Sequence, residues 1–120
     1  MRIHSIARPT PTFALGLPDA YEDHPWGEDV AKVNKKIFAF MGVDDSPELG
    51  MSVKLRESLE QALSVPGAVP YGLGRAGWVT IPFADMTPPP DVLRDWVEES
   101  YRIVAPKRLV VELDGRRTRR

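Results

Sequence analysis

The side chains most capable of chemistry are aromatic rings and lysines that alternate along short apolar stretches. One stretch reads Lys-Ile-Phe-Ala-Phe-Met, from Lys36 to Met41. Strand alternation places a lysine and two aromatic rings on its outward face: Lys36, Phe38 and Phe40. Its other residues point to the core: Ile37, Ala39 and Met41. Aromatic rings among lysines suit the stacking of bases and contact with phosphates, and they also suit a protein partner or a small ligand.

Motifs for catalysis are missing from the sequence. The chain has no cysteine and two histidines, His4 and His24. It contains no Gly-x-Ser-x-Gly elbow, no HExxH pair, no phosphate loop and no glycine-rich dinucleotide turn. Ser100 has no evident catalytic partner and is interpreted as helix packing. We therefore expect no enzymatic activity and no cofactor.

An acidic stretch surrounds His24: Asp19, Glu22, Asp23, Glu28 and Asp29. The favoured interpretation is a solvated loop, because exposed carboxylates are the rule. The alternative is a site for a hard metal ion, although the spacing matches no calcium loop. A metal site formed by His24 with Asp23 or Glu22 is disfavoured, because we expect the side chains of these sequence neighbours to point in different directions.

The elements that position these residues form an antiparallel sheet with helices packed on one face, which is an α+β fold. A hairpin pivots at Asn34, whose side chain tolerates a left-handed backbone. The predicted helices and strands are a short helix from Thr10 to Leu17, strands 32–41 (as a hairpin), 51–55 and 78–83, a helix at 56–63, a long helix from Pro90 to Pro106, and a helix or edge strand at 107–113. The face without helices is predicted to carry Lys36, Phe38, Phe40, Ser52, Lys54, Trp78 and Thr80.

Length and charge indicate one domain of 120 residues, with a core at about 10–113 and a basic flexible tail at 114–120. Residues 1–115 hold 12 basic and 17 acidic side chains, a balance of −5. The negative net charge of residues 1–115 argues against binding of nucleic acid over the whole surface. The arginine-rich tail could attract polyanions by itself. No stretch is long and apolar enough to span a membrane, and a signal-peptide core is missing, so we expect a cytoplasmic protein.

Six short stretches together resemble the MmcQ/YjbR family of small bacterial proteins, over about residues 13–105. They are Leu17-Pro18, Pro25-Trp26-Gly27, Lys36-Ile37-Phe38-Ala39, Ser52-Val53-Lys54-Leu55, Gly74-Arg75-Ala76-Gly77-Trp78-Val79 and Glu99-Ser100-Tyr101-Arg102. The resemblance implies a CyaY-like two-layer sandwich shared with frataxin and a "double-wing" DNA-binding role without enzymatic activity. Where the family usually has glycine before the strand lysine, this chain has Lys35.

Three hypotheses follow. The first is DNA binding through the helix-free face and adjoining loops; the resemblance assigns Lys36, Lys54, Arg75 and Trp78 to it, and position adds Lys32 and Lys35. The second is a protein- or small-ligand-binding module that uses the same face. The third, implied by the frataxin-like fold, is a weak iron site on the acidic stretch. The sequence makes no prediction of oligomeric state.

Overall fold

The computed structural model describes residues 10–25, 29–41, 50–70, 77–83 and 88–118. Four helices and six strands lie within these ranges. In chain order they are α1 (Thr10–Leu15), β1 (Tyr21–Asp23), β2 (Val30–Val33), β3 (Lys36–Phe40), β4 (Gly50–Lys54), α2 (Leu59–Leu63), β5 (Val69–Pro70), β6 (Trp78–Pro82), α3 (Pro90–Val104) and α4 (Lys107–Thr118). The α+β class predicted from the sequence is confirmed.

The six strands form one antiparallel sheet in the order β1-β2-β3-β4-β6-β5. Residues directly opposite one another in antiparallel strands share a face, so the register defines two sets of side chains. The inner face carries Ala31, Val33, Ala39, Met51, Val53, Val79 and Ile81, all fully buried in one cluster with helix residues such as Leu93 and Val97. The outer face carries Val30, Lys32, Ile37, Phe40, Ser52, Lys54, Trp78 and Thr80.

The hairpin between β2 and β3 turns at Asn34, as the sequence predicts, and its turn has two residues. Asn34 and Lys35 have φ angles of 53° and 68°. Two consecutive left-handed residues are what a tight hairpin turn requires, because its twist then matches that of the strands. Lys35 therefore occupies a backbone conformation that glycine adopts more easily.

The face predicted for Phe38 is wrong, and a β-bulge is the reason. Ala31 pairs with Ala39 and Lys32 pairs with Ile37, so Phe38 is an extra residue without a cross-strand partner. Its side chain is fully buried and meets the Tyr101 ring of α3 edge-on, with centroids 5.3 Å apart. The bulge reverses the alternation on either side of it, so Ile37 joins Phe40 on the outer face.

Three element predictions also need correction. The acidic stretch is not all loop, because β1 extends the sheet at its edge. The helix predicted at 56–63 begins only at Leu59, after a turn. The predicted flexible tail is helical as far as Thr118, because α4 buries Leu109 and Leu113 against the core.

Gly77 fixes the start of β6. Its φ is +87°, and a Cβ there would clash with the carbonyl oxygen of Leu55. The Gly77 carbonyl accepts a hydrogen bond from the Leu55 N–H at 3.0 Å, which extends the pairing of β4 with β6. Glycine thus lets the two backbones approach closely just before Trp78. Among the helices described, none is both long and apolar enough to cross a membrane.

Candidate functional site

An aromatic–lysine patch lies on the outer face and is formed by Phe40, Lys54 and Trp78. Lys54 lies directly opposite Trp78 across β4 and β6. The Phe40 and Trp78 rings meet in a T-shaped contact with centroids 5.6 Å apart. Because β4 lies between their strands, the two rings lean towards each other over β4. All three side chains remain partly exposed, so a cation and two aromatic rings are presented together.

A hydroxyl pair lies beside this patch. The oxygens of Ser52 and Thr80, which face each other across β4 and β6, are 2.8 Å apart. Ser52 is only 5% exposed, whereas Thr80 is partly exposed. The alternation of β4 and β6 therefore predicted this part of the outer face correctly.

Lys32 lies on the same face but its charge is compensated. Its Nζ donates a hydrogen bond to an Asp23 carboxylate oxygen at 3.0 Å. This bond, with a second from the His24 N–H, lowers the pKa of the Asp23 carboxyl. The ion pair holds Lys32 over β1, at the edge of the sheet away from Trp78.

The remaining predicted site residues do not join the patch. Lys36 pairs with Val33, which belongs to the inner face, so the bulge removes Lys36 from the outer face. Lys35 lies in the hairpin turn. Arg75 lies outside the described residues. The structure thus brings Lys54 and Trp78 together and places Lys32, Lys35 and Lys36 elsewhere.

A helix residue positions the lysine of the patch. The Lys54 backbone N–H donates a hydrogen bond to Ser100 Oγ at 2.9 Å. The Ser100 hydroxyl in turn donates to the Phe38 carbonyl oxygen, and its side chain is fully buried. The interpretation of Ser100 as helix packing therefore misses a polar link between α3 and two strands.

The neighbours of Ser100 fasten α3 to other parts of the molecule. One Glu99 carboxylate oxygen accepts hydrogen bonds from the backbone N–H groups of Arg56, Glu57 and Ser58, at 2.8 to 3.1 Å. The Tyr101 hydroxyl donates to the Pro18 carbonyl at 2.7 Å, and Arg102 donates to Asp114 of α4 at 2.7 Å. The stretch 99–102, one of the six that resemble the MmcQ/YjbR family, therefore has a structural role.

A cleft lies at the hairpin end of the sheet, and two of its residues, Lys35 and Asp19, were predicted from the sequence as members of two separate candidate sites. Its volume is about 380 Å³, and it is lined by Asp19, Tyr21, Asn34, Lys35, Arg108 and Leu109. Asp19, Asn34 and Lys35 are the non-glycine residues with positive φ in the described part of the chain. Tyr21 and Arg108 are contributors that sequence reasoning missed, because residues so far apart along the chain show no local pattern.

The described carboxylates of the acidic stretch have separate partners, and Glu28 lies outside the described residues. Asp23 binds Lys32, and Asp19 lies 3.9 Å from Arg108. His24 lies between Asp29, 2.8 Å from its Nδ1, and Glu22, 3.7 Å from its Nε2. The expectation that His24 and Glu22 point in different directions is therefore wrong. The ligand atoms of Glu22, His24 and Asp29 lie within 4.8 Å of one another, but the two carboxylates lie at opposite nitrogens of the imidazole ring, and all three side chains are at least 41% exposed.

The fold and the patch define a small α+β protein whose sheet is covered by helices on its inner face and presents aromatic and basic groups on its outer face. A family model described as YjbR matches residues 15–103, and the chain belongs to the YjbR family. No curated protein matches the chain.

Proposed function

We propose that this protein is a non-enzymatic DNA-binding protein that contacts nucleic acid through the aromatic–lysine patch. The observation that carries the proposal is the direct pairing of Lys54 with Trp78, on the face opposite the helices. A lysine can neutralise a phosphate while an adjacent aromatic ring stacks on a base, and together these contacts bind single strands without sequence preference. The DNA-binding role implied by the family resemblance agrees with this arrangement.

Each residue of the patch has a distinct role. Lys54 contacts phosphate, Trp78 stacks on a base, and Phe40 supports the indole through their T-shaped contact. Lys32 contributes less, because Asp23 already neutralises it. Lys36 has no part in the patch, which makes it a control of the same residue type.

The test is fluorescence anisotropy of labelled single-stranded and double-stranded DNA at low and near-physiological salt. Lys54→Gln should weaken binding and reduce the slope of log affinity against log salt by about one. Lys36→Gln removes the same charge on the other face and should change the slope less. Equal effects of the two substitutions would contradict the proposed patch.

Terminal arginines could produce the same affinity without any site. A variant with Arg117→Gln, Arg119→Gln and Arg120→Gln removes three charges and leaves Arg116, which donates a hydrogen bond to the Gly16 carbonyl at 2.8 Å. Binding by this variant that still depends on Lys54 supports the patch. Loss of all binding in this variant would contradict it.

A protein- or small-ligand-binding module is the second candidate function. The Lys32–Asp23 ion pair and the balance of −5 over residues 1–115 favour it, because both reduce the positive potential near the patch. In that case, binding would survive moderate salt, since burial of apolar surface is not screened. DNA binding that is absent even at low salt would favour this candidate over the first.

A further inference from the structure

The cleft between the hairpin turn and the start of α4 is separate from the aromatic–lysine patch. We propose that it binds a phosphate monoester attached to a planar group, such as a nucleotide or the phosphorylated end of a nucleic acid strand. Its basic side chains are Lys35 and Arg108, and neither belongs to the patch. The proposal therefore goes beyond the proposed function and does not depend on it.

The charges that line the cleft favour an anion. Two cationic side chains and one carboxylate, Asp19, give the lining a net charge of +1 within a chain of net charge −1. The Arg108 guanidinium lies 3.9 Å from Asp19, and the two side chains are 70% and 65% exposed. Such an exposed pair contributes little stability, so a phosphate can replace the carboxylate as the partner of Arg108.

The residues that line the cleft carry donor groups that suit a phosphate. The guanidinium of Arg108 can donate two parallel hydrogen bonds, and Lys35 supplies a point charge. The Asn34 amide and the Tyr21 hydroxyl are additional donors. Arg108 and Leu109 belong to the first turn of α4, whose dipole also favours a negative charge there.

The size and the apolar part of the cleft indicate a ligand larger than a free ion. Its volume of about 380 Å³ lies in the range of small-molecule sites. Tyr21, at the rim of the cleft, is 41% exposed, while Leu109 is 1% exposed and forms an apolar part of the wall. A phosphate on the cations and a base against Tyr21 would use both kinds of surface.

The hairpin turn allows a clean substitution. Lys35 has a φ of 68°, and asparagine tolerates this conformation, so Lys35→Asn removes the charge while keeping the turn. Arg108→Gln removes the second charge from an exposed position of α4. Lys36→Gln and Lys107→Gln are matched controls, because each lies next to a cleft cation without lining the cleft.

The experiment is a titration of the ¹⁵N-labelled full chain, followed by backbone amide shifts, with adenosine monophosphate and adenosine as paired probes. Saturable shifts at the lining residues are expected with the phosphorylated probe and much smaller ones with adenosine. Lys35→Asn and Arg108→Gln should each weaken binding about tenfold, as expected for a lost charge-assisted hydrogen bond, whereas the two controls should bind normally.

A second pair of probes separates the two sources of the phosphate: a short thymidine oligonucleotide with a 5′-phosphate and the same strand with a 5′-hydroxyl. Preference for the phosphorylated strand over adenosine monophosphate assigns the cleft to strand ends, and the reverse assigns it to free nucleotides. Equal shifts with phosphorylated and unphosphorylated probes, or equal losses in the control variants, would overturn the proposal. Amide shifts at the lining residues report on the cleft and the Trp78 indole shift reports on the patch, so failure of one proposal is distinguishable from failure of the other.

Discussion

The hydroxyl of Ser100 donates a hydrogen bond to the carbonyl oxygen of Phe38, which lies 62 positions earlier in the chain. Phe38 is the bulged residue of β3, and the pairing of β3 with β4 covers only Ala39–Val53 and Phe40–Ser52. Next to these pairs, the Ser100 hydroxyl links the two strands, because it donates to the Phe38 carbonyl of β3 and accepts from the Lys54 N–H of β4. Helix α3 therefore satisfies two backbone groups that would otherwise pair across the strands at the bulge.

Ser100→Ala should destabilise the protein by about 1–3 kcal/mol, because the Phe38 carbonyl and the Lys54 N–H both lose their partner beside the core. The measurement is urea unfolding, with a lower midpoint expected at an unchanged m-value. Ser64→Ala is the matched control. The Ser64 hydroxyl bonds only to the Gln61 carbonyl at the exposed end of α2, so its loss should have a small effect. Equal midpoints for the two variants would contradict the role of Ser100.

Glu99 acts as a cap supplied by another helix. Burial alone would raise the pKa of its carboxyl, but hydrogen bonds from Arg56, Ser58 and Glu57 outweigh burial and lower it below 4.5. The charged carboxylate therefore stabilises the fold above that pH, and the stabilisation is lost as the pH falls through the lowered pKa.

Glu99→Gln should lower the free energy of unfolding at pH 7 by about 1–2 kcal/mol, a typical loss for a helix cap. The difference from the wild type should shrink as the pH is lowered towards 3, because the wild-type carboxyl then becomes neutral as well. Unfolding curves measured at several pH values check this. Glu57→Gln, which removes an exposed carboxyl next to the same turn, is the matched control and should have little effect on stability at pH 7. A difference that stays constant with pH would exclude a charged cap.

The alternation of apolar residues was sufficient to predict most of the sheet. It gave the correct faces for β4 and β6 because these strands pair without a bulge, and Gly77 permits their close approach. It failed at Phe38 because one inserted residue reverses the faces of its neighbours, and alternation cannot detect an insertion. The residue type was a clue, because the predicted orientation would expose a large aromatic ring at Phe38 to solvent.

The cleft and the link through Ser100 were beyond prediction for a different reason. Both join residues that lie far apart in the chain, such as Asp19 with Arg108 and Ser100 with Phe38. Secondary-structure patterns extend over a few residues and carry no information on such contacts. The strand β1 was missed because acidic residues are depleted in strands, and here pairing with β2 overrides that preference.

Tyr101 should make the protein sensitive to alkaline pH. Burial, together with the charges of Glu112 and Asp19, raises the pKa of Tyr101 to about 12. In the unfolded chain the phenol ionises near its ordinary value of 10.0, so stability is lost as the pH rises from 10 to 12.

Tyr101→Phe should cost about 1 kcal/mol at pH 7, because the Pro18 carbonyl loses its hydrogen bond. Between pH 10 and 12 the wild type should lose more stability than this variant, so the two unfolding midpoints should converge. Tyr21→Phe, at an exposed position, serves as the control. Parallel loss of stability in wild type and Tyr101→Phe would contradict this account.

Nucleic acid binding by the aromatic–lysine patch is tested most directly by the indole N–H signals of the ¹⁵N-labelled protein during titration with an unphosphorylated single-stranded oligonucleotide. Trp78 lies partly exposed beside Lys54, whereas Trp96 is 3% exposed on α3 and provides an internal control. We expect a saturable shift of the Trp78 signal, with shifts of outer-face amides, while the Trp96 signal stays in place. A Trp78 signal that does not move while the oligonucleotide binds elsewhere on the chain would contradict the proposed function.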